Sequence, residues 1–193
     1  MDLVLIRHPE VDVAPGVCYG RSDVPLLRDA NESARDVRRR LDTLGVPASV
    51  AGWHASPLRR CESVARALTG DVPVHIDARL AELDFGAWEG RAWDGIERAL
   101  IDAWAADIEH ARLHGGESLA QFAVRLTAWL DDTLAHADVA SVHVIAHAGA
   151  MRVLTAHLLG IAPAGVLQWP LAFGGIVCLR RSGNGWALAR WNA

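Results

Sequence analysis

Short apolar runs that alternate with longer amphipathic segments are the feature that most constrains the fold of this chain. The first run, residues 3–6, ends at Arg7 and His8, and a later one in SVHVIAHAGAMRVLTAHLLG ends at His147 before a helical pattern. Strands that alternate with helices are typical of a parallel sheet, because each crossover returns through a helix. The sequence therefore predicts a three-layer α/β/α fold with a largely parallel central sheet.

The individual elements follow from local patterns of apolar residues and turn residues. Strands are predicted at residues 3–7, in SVAGWHASP, in VPVHI, in SVHVIA and, as a pair joined by a Gly-Asn-Gly turn, in GGIVCLRRSGNGWALARW. Helices are predicted over residues 29–44, 57–69, 99–113, 117–134 and 148–159, and the first, second and last are closed by Gly45, Gly70 and Gly160.

Length, charge and cysteine content exclude several classes of protein. A chain of 193 residues predicts one domain spanning residues 1–193. The net charge of −4 offers no basic surface to nucleic acid, and the first apolar run is too short for a secretion signal or a membrane span. Cys18, Cys61 and Cys178 lack the spacing of a zinc site or a disulfide framework. We expect a cytoplasmic protein that binds neither nucleic acid nor membranes, and leave open whether it forms a homodimer.

Polar side chains stand where the predicted strands end. Arg7 and His8 follow the first strand, Arg60 begins the helix after the second, and His147 follows a later strand. Because the carboxyl ends of parallel strands meet at one edge of a sheet, we expect these side chains to converge on one crevice. Guanidinium groups and helix N-termini bind phosphate oxygens, and an imidazole among them can act as a nucleophile without a metal. The crevice is predicted to bind a small phosphorylated metabolite and to need no cofactor.

Four motifs, in this order along the chain, resemble those of the histidine phosphatase superfamily, also called the phosphoglycerate mutase-like family. Arg-His-Pro at residues 7–9 is similar to the family's Arg-His-Gly, and SPLRR is similar to its Ser-Pro-Leu-x-Arg. LAELDFGAWEG resembles its acidic element, and HAGAMR resembles its late His-Gly motif. One such motif is weak, but four in order are hard to produce by chance.

The resemblance implies a role for each matching residue. His8 would be the nucleophile, and Arg7, Arg60 and His147 would bind the phosphoryl group and stabilise the transition state. Glu82 would be the general acid to the leaving oxygen and later the base to water. Such chemistry implies no metal and no cofactor.

Several positions depart from the family pattern. Pro9 replaces the usual Gly and removes a backbone N–H, whereas Ala148 replaces a common Gly but keeps its N–H. Val11 and Ala14 stand where mutase-type members often have Ser or Thr and Asn. The connection between the acidic element and the helix from residue 117 is also short, like that of the compact phosphatases. These features favour a phosphatase over a mutase.

The segment after the predicted nucleophile, VAPGVCYGRSDVPL, is rich in turn residues. Tyr19, Arg21 and Ser22 in it are candidates for substrate recognition, with a purely structural turn as the alternative. YGRSDVPL resembles the same segment of α-ribazole phosphatase-type members, so α-ribazole 5′-phosphate is the leading substrate hypothesis. A phosphoglycerate mutase, a broad-specificity sugar or nucleotide phosphatase, and a non-catalytic module that binds phosphorylated ligands stay open as alternatives.

Other polar residues receive structural interpretations. Glu89 is a second acid close to Glu82 and a weaker candidate for the proton donor. HGGES, at residues 114–118, predicts a glycine turn before a helix, although such a segment also occurs near the site mouth in family members. His143 and His147 have the spacing of a helical metal pair, but SVHVIAH predicts a strand, and the remaining histidines are dispersed. No metal site is expected.

Overall fold

The computed structural model describes residues 1–47, 51–136, 140–183 and 185–193. The strands are β1 (Asp2–Arg7), β2 (Ala51–Ala55), β3 (Val74–Ile76), β4 (Ser141–Ala146), β5 (Ile176–Ser182) and β6 (Gly185–Arg190). The helices are α1 (Ala30–Thr43), α2 (Arg59–Thr69), α3 (Arg98–Ala106), α4 (Leu119–His136), α5 (Ala148–Leu159) and α6 (Pro163–Val166). Among these described helices, none combines the length and the apolar character needed to cross a membrane.

The strands form one sheet in the order β3-β2-β4-β1-β5-β6. β1, β2, β3 and β4 are parallel, whereas β5 runs antiparallel to β1, and β6 runs antiparallel to β5. Arg7 pairs with Ala146, and Ala55 pairs with Ile145, so the carboxyl ends of β1, β2 and β4 lie side by side. The predicted three-layer fold with a largely parallel sheet is confirmed.

Apolar side chains on both faces of the sheet hold a helical layer on each side. In β1, Val4 and Ile6 pack toward α1 and α2, whereas Leu3 and Leu5 pack toward α4 and α5. Successive side chains of a strand point to opposite faces, so a strand covered on both faces must be apolar throughout. The partners in the helices include Val37, Leu41 and Val64 on one side and Leu126, Trp129 and Leu154 on the other.

The structure differs from the predicted elements in the middle of the chain. The helix predicted over residues 99–113 ends at Ala106, because Asp107 leaves the helical conformation and its side chain and carbonyl accept the backbone N–H of His110. Short 3-10 helices at Ala78–Leu80, Gly86–Trp88 and Trp93–Gly95 were not predicted, nor was α6. Ser49 and Val50, in the predicted second strand, and Asn184, in the predicted final turn, lie outside the described residues.

His143 is expected to make the fold sensitive to acid. Its ring is fully buried on β4 and packs edge-on against Trp53 with 4.8 Å between ring centroids. Burial lowers the pKa of His143 from 6.5 to about 4, so below pH 6.5 the unfolded chain takes up a proton that the folded chain does not. Between about pH 7.5 and pH 5 we expect this one residue to remove about 2 kcal/mol from the free energy of unfolding.

The change His143→Phe tests this expectation, because it keeps a ring against Trp53 and removes the titrating group. Urea unfolding at the two pH values should show a free energy of unfolding that falls less in the variant than in the parent, by about the same 2 kcal/mol. His157→Phe, at an exposed position of α5, is the matched control. An equal fall of the free energy of unfolding in the parent and in His143→Phe would show that His143 is not the source of the acid sensitivity.

Candidate active site

The sheet places the two motif histidines next to each other. His8 follows β1 and His147 follows β4, and the N–H of His8 donates to the carbonyl of Ala146 at 2.9 Å. The two rings meet edge-on with 5.3 Å between their centroids. His8 lines a cavity of about 340 Å³ at this edge of the sheet, together with Arg7, Arg60 and Glu82. Of the four side chains predicted to converge on one crevice, Arg7, His8 and Arg60 line this cavity, and His147 packs against His8.

The main chain sets the tautomer of His8. Its Nδ1 lies 2.7 Å from the carbonyl oxygen of Pro9. A carbonyl oxygen only accepts hydrogen bonds, so Nδ1 carries the proton and Nε2 keeps its lone pair. Burial, and after it the charge of Arg60, lowers the pKa of His8 from 6.5 to about 3. The ring is therefore neutral at any pH near neutrality, with a free nitrogen available for attack on an electrophile.

Arg60 is held at the base of the cavity by the loop that follows His8. Its guanidinium is fully buried, and Nη1 and Nη2 donate to the carbonyls of Ser22 and Gly20, both at 2.7 Å. Within the described part of the chain, its Nε finds no acceptor. Arg60 is thus a fixed cation at the cavity wall, and its position depends on the conformation of residues 20–22.

Glu89 holds that loop in place. Its carboxylate accepts the N–H groups of Arg21 at 2.7 Å and Ser22 at 2.6 Å, the hydroxyl of Ser22, and the N–H of Phe85 at 3.0 Å. A carboxylate that accepts so many bonds is a structural anchor, so the alternative of Glu89 as proton donor does not fit this arrangement.

The loop candidates for substrate recognition divide into two groups. Tyr19 lines the cavity, and its ring lies under the guanidinium carbon of Arg60 at 5.5 Å from the ring centroid. Arg21 and Ser22 do not reach the cavity wall, because Ser22 is turned toward Glu89 and Arg21 lies exposed near Asp84. Of the two interpretations left open by the sequence, a structural turn therefore fits Arg21 and Ser22, and Tyr19 stays a candidate for contact with the substrate.

Arg7 is the second cation of the cavity. Its guanidinium stacks on the ring of Phe173, 3.9 Å from the ring centroid, and its Nη1 donates to the carbonyl of Leu171 at 2.5 Å. Burial lowers the pKa of Arg7, while Tyr19 and Glu82 nearby raise it, so all three groups share one electrostatic environment. An arginine stays charged under these conditions, and its planar fork suits phosphate oxygens.

Glu82 lines the same cavity as these cations. Its Oε2 accepts the N–H of Gly149 at 2.9 Å, and its Oε1 accepts the N–H of Leu83 at 3.0 Å. A Cβ atom added to Gly149 would lie 2.4 Å from Oε1 of Glu82, so only glycine allows this approach of α5 to the carboxylate. The first turn of α5 therefore orients the carboxyl group toward the cavity.

Arg125, which has no motif around it, holds the backbone of Glu82. Its Nη1 donates to the carbonyls of Arg79 and Ala81, and its Nη2 donates to the carbonyl of Glu82 at 3.0 Å. The same guanidinium pairs with the carboxylate of Glu117 at 2.7 and 2.8 Å. This partly buried network links α4 to the acidic segment and fixes the position of Glu82.

His147 packs beside His8 at the end of β4. It is fully buried, does not line the cavity, and its Nε2 lies 2.7 Å from the hydroxyl of Ser56. Burial, with His8 and Arg60 nearby, lowers the pKa of His147 well below its usual value. The structure therefore shows His147 as a neutral ring beside His8, and its contact with a phosphoryl group stays a prediction.

The remainder of the cavity wall is largely apolar and includes Val17, Leu83, Phe85, Trp93, Trp104, Ile108, Leu119, Phe122 and Leu167. Trp93 and Trp104 are stacked, with 6.3 Å between ring centroids and 28° between ring planes. His114, from HGGES, packs behind them and accepts the N–H of Gly116 at 3.1 Å, and Ser118 accepts the N–H of Gln121 in the first turn of α4. This predicted turn supports the aromatic wall.

Sequence reasoning missed several residues around the cavity. Ser56, Gly149 and Arg152 lie inside the SPLRR and HAGAMR motifs, where the motifs themselves were the available signal. Arg125 and Phe173 have no local pattern and reach the site only through the tertiary fold. No cluster of three or more potential metal ligands occurs among residues 1–47, 51–136, 140–183 and 185–193.

Comparison with known proteins agrees with the geometry. A model of the histidine phosphatase superfamily (branch 1) matches residues 3–193. A probable phosphoglycerate mutase from Enterobacter sp. (strain 638) is 30% identical over 171 residues, which cover 83% of this chain and 76% of that protein. The α-ribazole phosphatase from Shigella flexneri has a similar structure, with a TM-score of 0.87, 27% identity and coverage of 100% of this chain and 96% of that one.

A mycobacterial glucosyl-3-phosphoglycerate phosphatase is also similar, with a TM-score of 0.82 and 27% identity over 100% of this chain and 98% of that one. The relatives thus include phosphatases and a probable mutase, and their names differ in substrate. The family match extends over almost the whole chain and includes all four motifs that meet at the cavity. The chain belongs to the histidine phosphatase superfamily (branch 1).

Proposed function

We propose that this protein is a phosphomonoesterase that hydrolyses a small phosphorylated metabolite through a phosphohistidine at His8. The observation that carries the proposal is the nucleophile itself, a neutral imidazole whose Nε2 is freed by the bond from Nδ1 to the Pro9 carbonyl. Two guanidinium groups, of Arg7 and Arg60, line the same cavity. In the described residues neither of them pairs with a carboxylate, so both are available to a phosphate dianion.

In the first half of the reaction, Nε2 of His8 attacks the phosphorus atom and the bond from phosphorus to the leaving oxygen breaks. Arg7 and Arg60 neutralise charge on the non-bridging oxygens, which lowers the barrier without a metal. Glu82, in its protonated form, donates a proton to the leaving oxygen. The products are the alcohol and His8 carrying the phosphoryl group.

In the second half, water replaces the alcohol in the cavity. Glu82, now ionised, removes a proton from the water. At the same time the water oxygen attacks phosphorus, and the bond from phosphorus to Nε2 of His8 breaks. Inorganic phosphate leaves, and His8 returns to its neutral form with Nδ1 still bound to Pro9. Glu82 is again protonated, so the cycle closes with one ester bond hydrolysed.

The leading substrate is α-ribazole 5′-phosphate, a nucleotide with an aromatic base. The apolar wall with Trp93 and Trp104 supports a substrate that has a ring system beyond its phosphate, and phosphatases of this specificity are among the structural relatives. Buried Cys18, Cys61 and Cys178 are free thiols, which supports action in a reducing cytoplasm. A phosphoglycerate mutase, supported by the name of one relative, is the second candidate.

The deciding experiment is metal-free hydrolysis of three compounds, with phosphate release and phosphoglycerate isomers both followed. α-Ribazole 5′-phosphate, 3-phosphoglycerate and p-nitrophenyl phosphate form the panel. Selective phosphate release from the first is the expected result. Isomerisation of 3-phosphoglycerate without phosphate release would identify a mutase, and the absence of turnover and of labelled His8 on all three would favour a binding module.

A further inference from the structure

Arg152, on α5, is a third guanidinium group at the cavity. It lines the cavity wall, where burial lowers its pKa; the charge of nearby Arg7 lowers the pKa further, and that of Glu82 raises it. Its Nε and Nη2 both donate to the carbonyl of Trp169, at 3.1 and 2.8 Å, so the plane of the guanidinium is fixed. Among the ion pairs of the described residues, none includes Arg152, and its Nη1 has no recorded acceptor there.

The position of Arg152 assigns it to the leaving-group side of the cavity. It follows Gly149 by three residues on the same helix, so both lie on one face of α5. The N–H of Gly149 binds the carboxylate of Glu82, which is the proposed proton donor to the leaving oxygen. Arg152 therefore lies next to the group that contacts the leaving oxygen, whereas Arg60 lies on the side of the loop after His8.

The charges of the cavity also leave Arg152 without a partner during the first step. A phosphate dianion matches the charges of Arg7 and Arg60, because His8 is neutral at the start of the reaction. Glu82 must be protonated at that moment to donate its proton, so it offers no negative charge to Arg152. A half-buried guanidinium that has lost part of its hydration gains most from an oxygen acceptor, above all an anionic one.

We infer that Arg152 binds an oxygen acceptor on the leaving group of the substrate, separate from the phosphoryl group, and so selects among phosphate esters. The acceptor is a carboxylate in phosphoglycerate-like esters or a ribose hydroxyl in nucleotides, and both present oxygen to the same Nη1. The inference rests on the proposed function, which places phosphate at Arg7 and Arg60.

The test measures binding instead of turnover, so that it does not depend on chemistry. In the His8→Ala background, isothermal titration calorimetry gives dissociation constants for two matched pairs and for phenyl phosphate, which has no second oxygen acceptor. One pair is 3-phosphoglycerate and glycerol 3-phosphate, and the other is adenosine 5′-monophosphate and its 2′,3′-dideoxy analogue. Each ligand is then measured with Arg152→Met added.

The expected result, in the His8→Ala background, is a preference for 3-phosphoglycerate over glycerol 3-phosphate, which lacks the carboxylate, or for adenosine 5′-monophosphate over its dideoxy analogue, which lacks the ribose hydroxyls. Arg152→Met should reduce that preference by about 10- to 100-fold and change the affinity for phenyl phosphate by less than about 2-fold. If the preference within the first pair is lost, the acceptor bound by Arg152 is a carboxylate. If the preference within the second pair is lost, that acceptor is a ribose hydroxyl. Arg152→Lys, which keeps the charge, should restore part of the preference.

Trp191→Phe controls for the bond between Arg152 and the segment at Trp169. It removes the indole donor to the carbonyl of Pro170, on that same segment, without touching the cavity wall. The preference found in the His8→Ala background should survive this change. Two results would overturn this inference and leave the proposed function standing. One is a ratio of dissociation constants within each pair that Arg152→Met leaves unchanged, and the other is an equal loss of affinity for phenyl phosphate. If no phosphate ester binds to the His8→Ala protein, the proposed function falls as well.

Discussion

Replacing His8 by Ala is expected to lower kcat/KM for phosphomonoester hydrolysis by about 10⁴-fold or more, because it deletes the nitrogen that attacks phosphorus. Arg7, Arg60 and Glu82 would still bind the ester and stabilise charge, so any residual rate would come from direct attack by water. The labelled intermediate should vanish entirely. Its measurement is a rapid quench with radiolabelled substrate, in which a phosphohistidine is recognised by its stability in base and lability in acid.

The matched control for this prediction is His157→Ala, which removes an exposed imidazole from α5. It should leave both the rate and the labelling unchanged. The secondary structure of the His8→Ala protein should match that of the parent by circular dichroism, since its elements do not depend on the ring. Hydrolysis by His8→Ala within 10-fold of the parent rate, measured at about pH 7, would show that another group attacks the phosphorus.

Replacing Glu82 by Gln is expected to divide substrates according to their leaving groups. For alkyl phosphates, whose leaving oxygen needs a proton, kcat should fall by about 10²- to 10⁴-fold. For p-nitrophenyl phosphate, whose phenolate leaves without protonation, the rate of phosphohistidine formation should fall by less than about 10-fold. The measurement is pre-steady-state release of the alcohol or phenol across a series of esters with leaving groups of increasing pKa.

Glu97→Gln, at an exposed position just before α3, is the control for loss of one negative charge. A uniform loss across all esters in the Glu82→Gln protein would indicate a damaged cavity instead of a missing acid. Such damage has a specific source to check, because the amide NH₂ of Gln would face the N–H of either Gly149 or Leu83. A thermal unfolding temperature close to that of the parent separates the two outcomes.

The parts of the site that the sequence predicted are those attached to strand ends. Arg7 and His8 follow a run that is apolar at every position, and such a run requires a strand buried on both faces, which β1 is. The parallel pairing of β1 with β4 then brings His8 beside His147. Local sequence and one rule of sheet geometry were sufficient for this half of the site.

The parts that the sequence did not predict depend on contacts between distant segments. Arg125 reaches the carbonyl of Glu82 from α4, 43 residues further along the chain, and Phe173 reaches Arg7 from the segment before β5. Neither contact leaves a periodic pattern, because each uses one side chain from an otherwise ordinary element. The anchoring role of Glu89 was missed for a related reason, since the groups that it binds include the backbone N–H groups of Arg21 and Ser22.

Two groups of site residues show what a motif leaves open. His147 lies beside His8, as the motif implies, and its Nε2 lies 2.7 Å from the hydroxyl of Ser56. Arg21 and Ser22 were candidates either for substrate contact or for a structural turn, and the loop directs the carbonyl oxygens of Gly20 and Ser22 to Arg60. A motif identifies which residues meet, whereas the direction in which each side chain points follows from its other hydrogen bonds.

The bond from His8 to the carbonyl of Pro9 has a consequence for how mutational data on this protein should be understood. Every amino acid has a carbonyl, so no codon change at position 9 deletes the acceptor. A complete substitution scan would record only the effects of losing the proline ring, and would be blind to the atom that prepares the nucleophile. The acceptor belongs to the main chain and not to a side chain. A mutation can therefore break this hydrogen bond only by moving the backbone at position 9 away from His8.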